Sequence, residues 1–100
     1  MTEICALASG SNGNSYYIGN RHAAVLIDAG ITTTQLLLRM KSRGLDPSKI
    51  RAVFLSHEHT DHSRGIQVLS KRLGVNIWMP KETWYSLPPY FKPPYVRFFT

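Results

Sequence analysis

Four apolar residues, Ala52-Val53-Phe54-Leu55, run directly into Ser56-His57-Glu58-His59-Thr60-Asp61-His62. Three of the four histidines in the chain lie within six residues, with an aspartate among them. Imidazole nitrogen and carboxylate oxygen are the donors that suit zinc, iron or manganese. The spacing matters as much as the count. If the strand continues briefly past Leu55, its period of two sends His57 and His59 to one side and Glu58 to the other. Asp61 and His62 fall where the chain turns into the next helix, and they approach from a second direction. That arrangement suggests two adjacent metal positions, one held by His57 and His59 and the other by Asp61 and His62.

The pattern H-E-H-T-D-H after A-V-F-L-S resembles the metal-binding signature of the metallo-β-lactamase superfamily. The resemblance implies that His57 and His59 bind the first metal and that Asp61 and His62 bind the second. It also implies a role for Asp28, which ends the run Ala23 to Asp28 and matches the first-motif aspartate of the superfamily. That aspartate orients the metal loop from behind, as carboxylates behind metal-bound histidines commonly do. Read without the resemblance, Asp28 is equally an aspartate closing a strand into a turn. The opening L-A-S-G-S-N-G-N-S-Y-Y-I-G-N resembles the YycJ/WalJ-like branch of the superfamily, whose members are associated with nuclease activity.

Composition narrows the class. A chain of 100 residues is one domain or part of one. With 43% hydrophobic and 18% charged residues it has the balance of a folded soluble protein rather than a disordered one. The lone cysteine, Cys5, excludes an intrachain disulfide and reads as a small buried residue. The N-terminus has no basic leader and no apolar run reaches membrane-spanning length, so the cytoplasm is the default location. A net charge of +6 suits a polyanionic partner such as nucleic acid, although a basic surface has a simple solubility role as well.

Taken in order, residues 4–9, 15–18 and 23–28 read as three strands of an antiparallel meander, separated by turn formers. Between the first two lies Gly10-Ser11-Asn12-Gly13-Asn14-Ser15, read as a tight hairpin, with a phosphate-cradling nest of backbone N–H groups as the alternative. Residues 32–43 read as a helix with threonine caps, a Leu36, Leu37, Met40 stripe and a Gly44 stop. Residues 50–55 form the strand that feeds the histidines. Residues 63–73 read as a single helix with Ile66, Leu69, Ser70 and Leu73 on one face, ended by Gly74. Residues 75–79 are the next strand and 81–86 a short helix. The prolines and aromatics of residues 87–95 favour an extended loop packed on the surface. Residues 96–100 read as a last strand. The fold class is α/β, and the resemblance makes it the N-terminal half of an αββα sandwich: antiparallel strands, then β-α-β with the metal loop after a strand.

Members of the superfamily add a later histidine to the first metal, an aspartate bridging both metals and a final histidine on the second. This chain has no histidine after His62 and no aspartate after Asp61, and Glu82 is its only later acid. Two protein groups per metal fall short of the usual three of a catalytic zinc site. A truncated domain, completion by another chain and a degenerate relative are the three explanations, with truncation favoured: residues 1–100 as the N-terminal part of a single domain. Such a half-sandwich is expected to expose apolar sheet surface and to self-associate.

The function expected is that of a metal-dependent hydrolase, a phosphodiesterase or nuclease with two divalent ions, zinc first and manganese or iron as alternatives. Asp61 both holds metal and orients the attacking water. The rivals are hydrolysis of a lactam, thioester or cyclic ester on the same fold, and a non-catalytic basic nucleic-acid-binding module with a partial metal site.

Overall fold

The computed structural model describes residues 1–56 and 58–99. Six strands form one sheet in sequential order: β1 (Glu3–Ala8), β2 (Ser15–Gly19), β3 (Ala24–Ile27), β4 (Ile50–Phe54), β5 (Asn76–Met79) and β6 (Val96–Phe98). The first three pair antiparallel, as the meander reading expects, and β3, β4, β5 and β6 pair parallel. Parallel neighbours need a crossover, and helices fill each gap. They are α1 (Thr33–Ser42), α2 (Thr60–Ser63) with α3 (Ile66–Leu73), and α4 (Lys81–Ser86).

Cross-strand register separates the two faces of the sheet. Tyr17, Leu26, Val53 and Ile77 align across four strands and are all but inaccessible to solvent. Leu36 and Met40 of α1, with Ile66 and Leu69 of α3, join them in one core. The period of two on the strands and the i, i+3, i+4 stripe on the helices therefore meet at a single apolar layer. Replacing Leu26 with alanine should cost about 2–5 kcal/mol, the range for emptying a closed leucine site. Urea-induced unfolding followed by circular dichroism checks this through the shift of the midpoint.

The opposite face carries the row Tyr16, Ile27, Phe54 and Trp78, aligned in the same way but only half-buried. Phe54 stacks on Trp78 with ring centroids 6.2 Å apart, and Phe99 lies 6.4 Å from Phe54.

Local chemistry explains the element ends. The Thr32 hydroxyl caps α1 by accepting from the Gln35 N–H at 3.3 Å, and Arg39 and Lys41 sit in its last turn, where the helix dipole favours cations. The Asp46 carboxylate accepts from the Ser48 N–H and hydroxyl, which converts the expected Asp46-Pro47 turn into one turn of 3-10 helix over Pro47–Lys49. Four sequence expectations need correction. The helix expected over residues 63–73 is broken at Gly65, whose N–H turns away to the Ala29 carbonyl at 2.7 Å, so α2 and α3 are separate. The hairpin forms but is not tight: its connection runs over residues 9–14, closed by a Gly13 N–H to Gly10 carbonyl bond at 3.3 Å, with a register shift between Ala6 and Ala8. The proline-rich segment is not wholly extended: Pro89–Phe91 makes a 3-10 turn, held down where the Lys92 ammonium donates to the Trp84 and Leu87 carbonyls. Cys5 is half-buried at the edge of the core rather than enclosed. Among the described residues no helix is long and apolar enough to cross a membrane.

Candidate metal centre

The histidine motif starts where β4 stops. The Leu55 N–H still reaches the Trp78 carbonyl at 2.9 Å, but the strand ends at Phe54. The expected continuation with alternating side chains is therefore not what places His59. The chain bends at residues 58–59 and His59 becomes the cap of α2, its carbonyl accepting from the His62 and Ser63 N–H groups. Asp61 and His62 lie inside that helix, on the turn the sequence suggested. His57 lies outside the described residues.

Asp28 reaches this turn from β3. It is buried at 3% exposure and sits at φ +64°, the one positive φ among the described non-glycine residues. A strained backbone position of this kind persists only where its surroundings hold it. Three bonds do so here. Asp28 Oδ1 accepts from the Ser56 N–H at 2.7 Å, while Oδ2 accepts from the Ser56 hydroxyl at 2.8 Å and from His62 Nδ1 at 2.7 Å. The same carboxylate thus holds His62 through Nδ1 and turns its Nε2 toward Asp61. His62 Nε2 lies 3.4 Å from Asp61 Oδ2.

This separation tests whether a metal fits. Adjacent ligands on a tetrahedral zinc with bonds of ~2.1 Å stand roughly 3.4 Å apart. Asp61 and His62 thus present an oxygen and a nitrogen at the spacing one ion needs, with His62 already oriented from behind. Among the described residues no three His, Cys, Asp or Glu side chains converge on one point. The pair is what this part of the chain brings together.

Backbone contacts lock the turn to two distant segments. The Asn14 N–H donates to the Asp61 carbonyl at 2.7 Å, the Gly30 N–H to the Asn14 carbonyl at 2.8 Å, and the Ala29 N–H to the His62 carbonyl at 2.9 Å. Gly30 stands at the crossing: a Cβ there would lie 1.7 Å from the Asp61 oxygen. The buried Ser63 hydroxyl donates toward the Glu58 and His59 carbonyls at 3.0 Å each and holds the bend. The Asn14 side-chain amide donates to the Gly10 carbonyl at 3.0 Å and reaches Asp61 Oδ2 at 3.4 Å. Asn14 was legible only as a turn former. Its partner is 47 positions away, and no local signal announces it.

A family model described as the metallo-beta-lactamase superfamily matches residues 8–99. The chain belongs to the metallo-β-lactamase superfamily. Exodeoxyribonuclease WalJ of Streptococcus pneumoniae serotype 2 is 32% identical over 81 residues, which is 81% of this chain and 30% of the relative. Exodeoxyribonuclease YycJ of Bacillus anthracis is 31% identical over 81 residues, 81% of this chain and 31% of the relative. The crystal structure of metallo-β-lactamase SMB-1 bound to 2-mercaptoethanesulfonate superposes with a TM-score of 0.81, covering 97% of this chain and 44% of that one at 16% identity. That likeness is one of fold. This metallo-β-lactamase-fold chain spans under a third of the length of the two curated relatives.

Proposed function

We propose that this chain carries the metal-holding half of a metal-dependent nuclease that cleaves phosphodiester bonds in DNA. The observation that carries the reading is the Asp28–His62–Asp61 arrangement: a buried carboxylate orients an imidazole whose other ring nitrogen meets a second carboxylate at ligand spacing. In this reading His57 and His59 hold one divalent ion and Asp61 and His62 the other, zinc being the first choice for the nitrogen and oxygen donors. When bound, the metals supply hydroxide near neutral pH and neutralise charge on the phosphoryl oxygens. Asp28 keeps the His62 proton on Nδ1, and Asp61 orients the attacking water through its carboxylate. The names of the WalJ and YycJ relatives and the net charge of +6 support a polynucleotide substrate. A lactam substrate has only the fold likeness behind it, and fold does not fix chemistry.

The half-buried row of Tyr16, Ile27, Phe54 and Trp78 supports a second layer packing on this sheet from outside residues 1–100. That layer is also where the ligands completing each metal position would come from.

The test is hydrolysis of a labelled single-stranded DNA by a zinc-loaded protein in which residues 1–100 are joined to the second layer proposed above. Cleavage is expected to stop with chelator, to return on adding zinc, and to fall by at least ~100-fold in His59→Ala, because a ligand is lost. Cleavage that persists in chelator and in His59→Ala would sink the reading. So would the absence of cleavage by metal-loaded protein.

A further inference from the structure

The loop over residues 9–14 has work left unexplained by its role as a hairpin connection. Together with the outer face of α1 and the turn after α2 it walls a cleft of about 480 Å³. The cleft is lined by Ser9, Ser11, Asn12, Gln35, Arg39 and Arg64, alongside small and apolar residues, and no acidic residue contributes to it. Two guanidinium groups therefore share a polar concavity with hydroxyl and amide groups. Neither has a carboxylate within ion-pair distance among the described residues, where the only close pairs join His62 to Asp28 and to Asp61. Arg39 is held in place because its Nη1 donates to the Leu7 carbonyl at 2.8 Å, which leaves its remaining N–H groups unspent. The N–H groups of Ser11 and Asn12 have no acceptor among the described residues. The cleft therefore gathers fixed donors and positive charge with nothing to neutralise them.

Its position matters as much as its charge. Asn14 joins the cleft to the candidate metal centre, since one side-chain amide meets both the Gly10 carbonyl and Asp61 Oδ2. Arg64 follows His62 by two residues, at the end of α2. A phosphate in the cleft would lie against the loop that anchors the metal-holding turn. Arginine forks match phosphate oxygens in pairs, and loop N–H groups supplement them.

We propose that this cleft is a phosphate-binding subsite, in which Arg39 and Arg64 grip the backbone of a single DNA strand. The assignment rests on the nuclease reading for its ligand, and it adds residues that the metal motif does not contain. The subsite reads backbone, not base, so it confers strand grip without sequence preference.

The test is fluorescence anisotropy of a labelled 12-nucleotide single-stranded DNA, in chelator so that nothing is cleaved, over a series of salt concentrations. Arg64 is exposed and makes no side-chain bond among the described residues, so Arg64→Gln should fold normally. It is expected to weaken binding about five- to tenfold and to lower the salt slope by ~0.7, the value for one phosphate contact on a single strand. Arg39→Lys, which keeps the charge but loses the fork, should weaken binding several-fold with the slope unchanged. Lys71→Gln, on the exposed side of α3 and away from the cleft, is the control and should leave affinity within about twofold. Equal losses in Arg64→Gln and Lys71→Gln would overturn the subsite in favour of diffuse charge. Unchanged binding in Arg64→Gln, or no binding by the parent protein, would overturn it outright. Because binding is read without metal, a protein that grips DNA through Arg64 but never cleaves it would refute the nuclease reading and leave the subsite standing.

Discussion

Gly30→Ala is expected to weaken the fold severely and to cost the chain its metal uptake. Gly30 does not have a positive φ, so the constraint is one of space rather than backbone conformation. An added Cβ would stand 1.7 Å from the Asp61 carbonyl oxygen, 2.3 Å from its carbon and 2.7 Å from the Asn14 nitrogen. All three are backbone atoms and cannot rotate away. Relief requires parting the loop over residues 9–14 from the α2 turn, which breaks the Asn14 to Asp61 and Gly30 to Asn14 bonds. Each such bond is worth about 1 kcal/mol and overpacking costs roughly 1–3 kcal/mol more. A total on the order of 3–5 kcal/mol is a large share of the ~5–15 kcal/mol that holds a typical domain. Urea unfolding by circular dichroism and zinc content after dialysis are the measurements. A parent-like midpoint with parent-like zinc would show that the three segments do not cross at Gly30.

Asp28→Asn should have the opposite signature: a retained fold with a disabled site. Asparagine tolerates the positive φ that Asp28 adopts, so the backbone has no reason to move. Its oxygen can still accept from the Ser56 N–H, but its NH₂ then faces His62 Nδ1. The imidazole must answer with a lone pair on Nδ1 and its proton on Nε2, the nitrogen that faces Asp61. A protonated Nε2 is no ligand. Zinc affinity is expected to fall about 10–100-fold. DNA cleavage should fall further, by as much as ~10⁴-fold if tautomer control matters here as it does in the serine-protease triad. The unfolding midpoint should move little. Asp28→Glu, which restores an acceptor at a different reach, should recover part of the zinc affinity if His62 orientation is the cause. A midpoint that collapses in Asp28→Asn, or zinc affinity equal to the parent, would refute the positioning role.

These two substitutions separate what local pattern carries from what it does not. Strands β2 to β5 and helix α1 were legible because their apolar periods are local and agree with their caps: Leu36 and Met40 fall on one helical face, and Thr32 precedes it. The split of α2 from α3 was not legible. Residues 63–73 have good helical spacing, and the break is imposed by an N–H bond from Gly65 to Ala29, a contact 36 positions away. The length of the loop over residues 9–14 escaped for the same reason. Turn-forming residues specify that the chain reverses, whereas the width of the reversal depends on the anchorage of Asn14 to Asp61.

The candidate site divides along the same line. The donor types, the order H-x-H-x-D-H and its place after an apolar run are properties of eleven consecutive residues, 52–62, so the sequence alone pointed to metal chemistry and to the superfamily. Composition alone also set the basic charge. Tertiary structure decided which way the donors face: it placed Asp28 behind His62, made His59 a helix cap rather than a strand residue, and set Arg39 beside Arg64 in one cleft. The physical reason is range. Periodicity and residue chemistry act over a few residues, while a carboxylate bonded to Nδ1, a glycine with no room for a Cβ and two arginines lining one cleft exist only once segments far apart in the chain pack at fixed distances.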